Sequence, residues 1–360
     1  MGETEKKRFV FVDGLRGIAA LWVLAYHFVH EPVLTTLDPV TVAGFRAVHP
    51  LLWLAVKGRL GVQVFFVLSG FVIAHSLSDY ALNARSTLLF IARRQVRLDP
   101  CYWAALALAT ASMLASGALG FDEKPVPAPH VYVAHVLYLQ DALNGWWGVT
   151  NMLAPSWSLC IEIQLYLVFV LILLVTRTRF LSTCAVFLLA VASLSVTWAK
   201  LNDHNNWIFI THWYMFALGV LTYWTHRGWI RSWILGVTLC LAVCAHAASD
   251  QPEPLVATLA TLAVVLASRQ GTLTTWLGGR FMQWLGRVSY PLYLIHLHVG
   301  VAIILIGCRL SKTPGAVVLW ITMATGACFL AAHLLHALVE RPSLKLASRL
   351  RPRRDAPSGC

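Results

Sequence analysis

The chain has 360 residues, of which 58% are hydrophobic and only 12% charged, about half the charged fraction of a soluble domain. A net charge of +12 would suit nucleic acid if the basic residues shared one polar face, but they fall between apolar stretches, which excludes that class. Seven of the eight cysteines (Cys101, Cys160, Cys184, Cys240, Cys244, Cys308 and Cys328) lie in apolar stretches without a CxxC pair, a pattern of buried thiols rather than disulfides or a metal site.

A helix that crosses a bilayer needs about 20 residues. Ten stretches meet or approach that length: 14–30, 60–77, 98–117, 157–175, 180–200, 207–224, 230–247, 253–268, 288–307 and 315–339. The eighth is short. The expected fold is therefore all-α, a polytopic integral membrane bundle of about ten transmembrane helices. Residues 1–8 mix acidic and basic side chains and run into an apolar stretch without a small-residue cleavage site, so no cleavable signal peptide is expected. With ten crossings, 20 of the 28 lysines and arginines fall on the face that carries the two termini. The positive-inside bias then places both termini in the cytoplasm, and the expected location is the cell's inner membrane.

The first span reads FVDGLRGIAALWVLAYHF. Arg16 and His27 are eleven residues apart, within about 20° of three whole turns, so they share one stripe of the helix. Asp13, one turn before Arg16, is expected to hold its guanidinium. His27 sits about 16 Å further along the axis. A neutral imidazole there can take a proton from a hydroxyl, the task of a general base, or can merely hydrogen-bond between helices. In the second span Gly58, Gly61, Ser69 and Gly70 interrupt the apolar run. They suit close helix packing, with Ser69 also a candidate to line a ligand site.

Next comes ARRQVRLDPCYW, where Arg93, Arg94 and Arg97 crowd the inner end of the third span. They read either as topological anchors or as a cradle for several phosphates, whose oxygens match the guanidinium fork. The segment 121–155 mixes prolines, His130, His135, Asp141, Asn144 and the pair Trp146-Trp147. It reads as an outer-face shelf of interfacial aromatics or an acceptor-binding surface. The fourth span, PSWSLCIEIQLYLVFV, places Glu162 about one turn inside the membrane. A carboxylate in lipid points to function by default, with Arg16 or His27 as the expected partner. The ninth span brings Tyr293 and His296 onto one face, so His296 is either a second site residue or a packed core histidine. Glu340 and Arg341 form an expected local ion pair at the inner end.

Taken in order, DGLRGIAALWVLAYHF, GVQVFFVLSGF, RRQVRLDPCYW, PSWSLCIEIQLYL and SYPLYLIHLH resemble the acyltransferase-3 family of membrane-bound O-acyltransferases. The resemblance implies a transmembrane acyltransferase domain over residues 1–345, followed by a short basic cytoplasmic tail over 346–360. It implies transfer of an acetyl or other short acyl group from acyl-CoA, without a metal. The acceptor hydroxyl would belong to a carbohydrate, a lipid-linked glycan or a macrolide-type compound. His27, Arg16 and Glu162 take the catalytic positions, with His27 as general base. Arg93, Arg94 and Arg97 take the donor-binding positions, and Asp13, Ser69, Tyr166 and His296 are expected to line the substrate. Arg16 or Tyr166 would steady the oxyanion.

Three departures from the family pattern stand out. Ile163 occupies the second of two adjacent acidic positions, His298 stands where proline is usual, and no hydrolase-like outer domain is fused. A covalent acyl-enzyme through His27 or Cys160 has no paired nucleophile and base to support it. The competing class is a transporter or flippase with His27, Arg16 and Glu162 along a polar path, although neither an inverted repeat nor matched broken helices are visible.

Overall fold

The structure, a computed structural model, describes residues 8–30, 50–78, 83–118, 126–199 and 207–350. Among them every regular element is helical. The first seven helices are α1 (Val10–His30), α2 (Pro50–Val56), α3 (Gly61–Leu77), α4 (Ala84–Ala118), α5 (Pro129–Val136), α6 (Trp157–Thr176) and α7 (Arg179–Trp198). The chain continues with α8 (Trp213–His226), α9 (Ser232–Ser249), α10 (Glu253–Arg269), α11 (Arg280–His296), α12 (Ala302–Leu310), α13 (Pro314–Leu335) and α14 (Arg341–Arg349). A π-helical segment, Leu297–Val301, joins α11 to α12, and a second, His336–Glu340, joins α13 to α14.

Eight helical stretches among the described residues are long and apolar enough to cross a membrane, which makes the molecule an all-helical multi-pass bundle. They coincide with eight of the ten expected spans. The other two fall on α8 and α10, of 14 and 17 residues, shorter than the about 20 residues of a perpendicular crossing. The structure therefore does not reach a count of ten on length. In the other direction, α4 begins 14 residues before the expected third span and runs for 35. At 1.5 Å per residue it is about 52 Å long, well beyond a hydrocarbon core of about 30 Å. Hydropathy registers only its apolar half; the other half carries Arg85, Arg93, Arg94 and Arg97 and buries Ser86, Thr87, Phe90 and Leu98.

The packing is organised around α3, the most buried of the membrane-length helices, which leaves one partly exposed stripe carrying Phe65, Ser69 and Val72. Within its span 72% of residues are buried, against 28% for α4 and 22% for residues 315–349. Association of helices in lipid depends on van der Waals fit, which small residues improve by letting backbones approach. Gly70 of α3 and Gly219 of α8 do this reciprocally: a β-carbon on either would strike a main-chain carbonyl of the other helix, that of Phe216 or Val67. Gly17 of α1 crosses α11 at Gly286 in the same way. The core divides into one cluster around α3, α8, α9 and α10 and a second around α1, α4, α11 and α13. The polar interior lies along their seam.

Replacing Gly219 by leucine should therefore overpack a backbone contact, at a cost of about 1–3 kcal/mol or more, and lower the thermal midpoint of the purified protein by several degrees. Gly236→Leu is the control, because a β-carbon there meets nothing within 4 Å. Size-exclusion recovery over a temperature series measures both, and equal midpoints for the two variants would refute the role given to this contact.

Candidate active site in the seam of the bundle

On a helix, positions three apart share a face, so Arg94 and Arg97 of α4 both turn inward. Opposite Arg94 stands Glu162 of α6. One carboxylate oxygen, Glu162 Oε1, accepts from Arg94 Nη2 at 2.6 Å and from the Ser69 hydroxyl of α3 at 2.7 Å. The Arg94 guanidinium also lies 5.0 Å above the ring of Tyr166, whose hydroxyl donates to Gln95 Oε1 at 2.8 Å. Three helices are thus tied at one carboxylate. The expected partner of Glu162 was Arg16 or His27. The structure gives that place to Arg94, because α4 and not α1 packs against this part of α6.

Beside this pair is a cavity lined by Arg16, Ser69, Arg94, Arg97 and Glu162 on its polar side. Ser158, Ser289, Tyr290 and Tyr293 complete the polar lining. Tyr166 is absent from the lining, since its hydroxyl is committed to Gln95 and its ring to Arg94. Arg93 is also absent: one residue back on a helix is a turn of 100°, which takes it off the face that Arg94 presents.

A second cavity opens at the end where α1 begins. Five arginines (Arg8, Arg16, Arg97, Arg287 and Arg341) face two carboxylates (Asp13 and Glu340) around it. Arg16 and Arg97 line both cavities, so the basic mouth and the interior chamber meet at these two guanidinium groups. The buried Nε atoms of Arg94 and Arg97 have no hydrogen-bond partner among the described residues. Two expected pairings are corrected here. Asp13 accepts from Arg8 rather than holding Arg16. Glu340 pairs with His336, four residues back, at 2.7 Å, because neighbours such as Arg341 point about 100° away while i and i+4 face each other.

His27 lies further along the α1 stripe that Arg16 begins, but it lines neither of these cavities. Its ring centroid is 5.1 Å from that of His296 and 5.0 Å from that of Tyr26. His296 is buried, and its Nδ1 faces only the carbonyls of Leu292 and Tyr293, at 3.1 and 2.8 Å. Carbonyls only accept, so Nδ1 carries the proton and Nε2 presents a lone pair, with no partner among the described residues. Tyr293 completes the connection: its ring is 6.0 Å from His296, its hydroxyl bonds the Ser158 hydroxyl at 2.8 Å, and it lines the interior cavity. His296 is thus one side chain removed from the chamber, and His27 stands behind it.

At the far end of the bundle, residues 126–155 form α5 and a series of turns pinned to the helices below by buried polar groups. His135 bonds the Tyr102 hydroxyl through Nδ1 at 2.8 Å and accepts from the Met152 amide through Nε2. The Gln140 amide donates to Ser156 and to Cys160 Sγ, at 3.0 and 2.9 Å. Cys160 is accordingly a tied structural thiol that lines neither cavity. Burial lowers the pKa of His135 and raises that of the Asp141 carboxyl, the latter against hydrogen bonds from Cys160 and Asn151 that pull it down.

Sequence reasoning missed Ser158 and Tyr290 as lining groups, counted Arg8 and Arg287 only toward topology, and gave Arg341 only a local pairing with Glu340 besides. Polar residues inside apolar spans were the available signal for the first two. No signal along one helix groups the arginines, which come from four separate elements.

A family model, the acyltransferase domain named acyltransferase-3, matches residues 9–335. Nodulation protein 10 of Rhizobium leguminosarum bv. viciae is 26% identical over 82% of this chain and 84% of its own length. The acyltransferase MdmB of Streptomyces mycarofaciens is 29% identical over 97% of this chain and 95% of its own. No solved structure matches. A match over nearly the whole helical bundle, together with acyltransferase relatives that align across it, makes this chain a membrane-embedded O-acyltransferase that belongs to the acyltransferase-3 family.

Proposed function

We propose that the protein transfers an acetyl or other short acyl group from acyl-CoA, taken from the cytoplasm, to a hydroxyl of a carbohydrate, lipid-linked glycan or macrolide-type acceptor. The observation that carries this reading is the sharing of Arg16 and Arg97 between the basic mouth and the interior chamber. A donor with several phosphates and a long neutral arm fits such a path. Its phosphates rest on the arginines of the mouth, where charge-assisted contacts are strongest, and its thioester reaches the chamber. The mouth then faces the cytoplasm, in keeping with the positive-inside bias.

In the transfer step the acceptor hydroxyl reaches past Tyr293, which lines the chamber, to His27, which takes its proton, and the oxygen attacks the thioester carbon. The tetrahedral oxyanion is steadied by Arg16, collapse breaks the carbon–sulfur bond, and the proton passes from His27 to the departing CoA thiolate. Glu162 holds Arg94 in place through the paired contact with Ser69. It acts as a positioning residue in this scheme, because both the salt bridge and the hydroxyl contact fall on one of its oxygens. His296, with its proton fixed on Nδ1, sets the environment of the His27 ring.

Two measurements test the scheme on the protein in lipid nanodiscs. His27→Ala should lower acceptor-dependent release of CoA by about 10²- to 10⁴-fold, the usual worth of general base assistance, and wild-type rates in that variant would remove His27 from the chemistry. Arg97→Gln should raise the KM for acetyl-CoA about tenfold or more, with a smaller effect on kcat, since a charge-assisted contact contributes about 1.5–3 kcal/mol. An unchanged KM would place the phosphates elsewhere.

A further inference from the structure

The end of the bundle where α1 begins holds a second concentration of positive charge, apart from the mouth. Arg177 and Arg179 sit where α6 gives way to α7, and Arg227 and Arg231 where α8 gives way to α9. All four are exposed. Between Glu162 and Asp250 the sequence has one acidic residue, Asp203, and it follows α7 rather than preceding it. Among the described residues none of the four arginines pairs with a carboxylate or donates a side-chain hydrogen bond.

Tryptophan gathers these charges. The Arg179 guanidinium lies 4.0 Å from the centre of the Trp229 ring and 5.2 Å from that of Trp224, and the Arg227 guanidinium lies 5.3 Å from the Trp229 centre. Two like charges thus rest on one indole, within about 10 Å of each other, a distance over which salt leaves them coupled. A ring contact of this kind contributes about 0.5–1 kcal/mol at an exposed site and, unlike a salt bridge, leaves the N–H donors of the guanidinium unspent. The platform is rigid. Trp224 is 1% exposed, and the Trp229 amide donates to its carbonyl at 2.9 Å across a turn in which Gly228 takes a φ of +67°. His226 Nδ1 meets the Ser268 hydroxyl at 2.6 Å, which ties this end of α8 to α10.

The surroundings specify the chemistry of the missing anion. Next to the arginines stand Phe180 and Trp233, 75% and 60% exposed. Along α9, Trp233, Val237 and Leu241 recur every fourth residue on one exposed apolar face. The first turn of α7 adds its own partial positive charge, and of its amides the Thr178 side chain takes only that of Leu181. Cations at the edge of an exposed apolar face match a negative headgroup continuous with hydrocarbon tails. The positive-inside bias asks only for charge at this end; it does not ask for two guanidinium groups stacked on one indole with their donors unspent.

We propose that Arg179 and Arg227, with Arg177 and Arg231 on the same two turns, form a binding site for the phosphate of an anionic phospholipid, whose tails lie along Trp233, Val237 and Leu241. The site shares no residue with the mouth or the chamber and does not depend on the acyl-transfer reading. A lipid seated there bridges α7, α8 and α9 and stabilises the folded bundle by mass action.

The full chain, purified in detergent and stripped of lipid, is followed by native mass spectrometry with phosphatidylglycerol and phosphatidylcholine added in equal amounts. The expected result is severalfold greater retention of phosphatidylglycerol, reduced about tenfold or more by Arg179→Gln combined with Arg227→Gln. Arg85→Gln combined with Arg280→Gln removes the same charge from exposed positions at the starts of α4 and α11 and should leave retention unchanged. Equal retention of the two lipids overturns the site, and so does an equal loss in the two double variants, which would reduce it to diffuse attraction. Should the first double variant not fold, Arg227→Gln alone, at an exposed turn, is measured in its place. A loss of about fivefold is then expected, and retention at the wild-type level overturns the site. Inorganic phosphate and coenzyme A are each added as competitors at the concentration of the lipid. Neither should displace phosphatidylglycerol, and displacement by either overturns the lipid in favour of a soluble anion.

Discussion

A guanidinium inside a lipid-embedded bundle has no water to complete its hydrogen bonds, so it must find a carboxylate or bring a cavity with it. Arg94 does both. Its bond to Glu162, reinforced by Ser69 on the same oxygen, joins α4, α6 and α3 at the point where the two halves of the core meet. Removing the carboxylate would leave an uncompensated charge in the interior, a loss that reaches about 3–5 kcal/mol for a fully buried pair. The chamber, its arginine lining and the seam between the two apolar clusters are all arranged around this tie.

From that point the molecule is polar in two directions and apolar in the others. Toward the start of α1 the polarity is cationic, with five arginines around an opening that needs polyanionic company. Toward the shelf it is neutral to acidic, rich in tryptophan and in oxygens that lack partners. For the transfer proposed above, this asymmetry would separate a charged donor from a hydroxylated acceptor, because each is disfavoured at the other's door. The close backbone crossings at Gly70 with Gly219 and at Gly17 with Gly286 hold the helices that wall these spaces at fixed separation.

The histidine pair lies to the side of this axis. Fixing the proton of His296 on Nδ1 by two main-chain carbonyls leaves a lone pair on Nε2 close to the His27 ring, and Tyr293 links both to the chamber through Ser158. In the proposed transfer, such an arrangement keeps basic nitrogens beside the chamber without placing them in the path of the arginines.

The sequence by itself determined that the chain is a helical membrane bundle, since an apolar stretch in lipid must satisfy its backbone internally. Its motifs, from DGLRGIAALWVLAYHF to SYPLYLIHLH, also carried the family. Helical periodicity was enough to put Arg16 and His27 on one stripe and Tyr293 beside His296, because spacing along one helix is fixed by its own geometry. Only the tertiary structure decided the partners across helices: Glu162 with Arg94, Asp13 with Arg8, Tyr166 with Gln95. It alone brought Arg8, Arg16, Arg97, Arg287 and Arg341 around one mouth and Gln63, Asp141, Tyr214 and Glu253 around one open cavity at the shelf. The reason is physical. A helix sets the direction of each side chain about its own axis, whereas the identity of the facing helix depends on which small residues let two backbones approach, and that is settled only when the whole bundle packs.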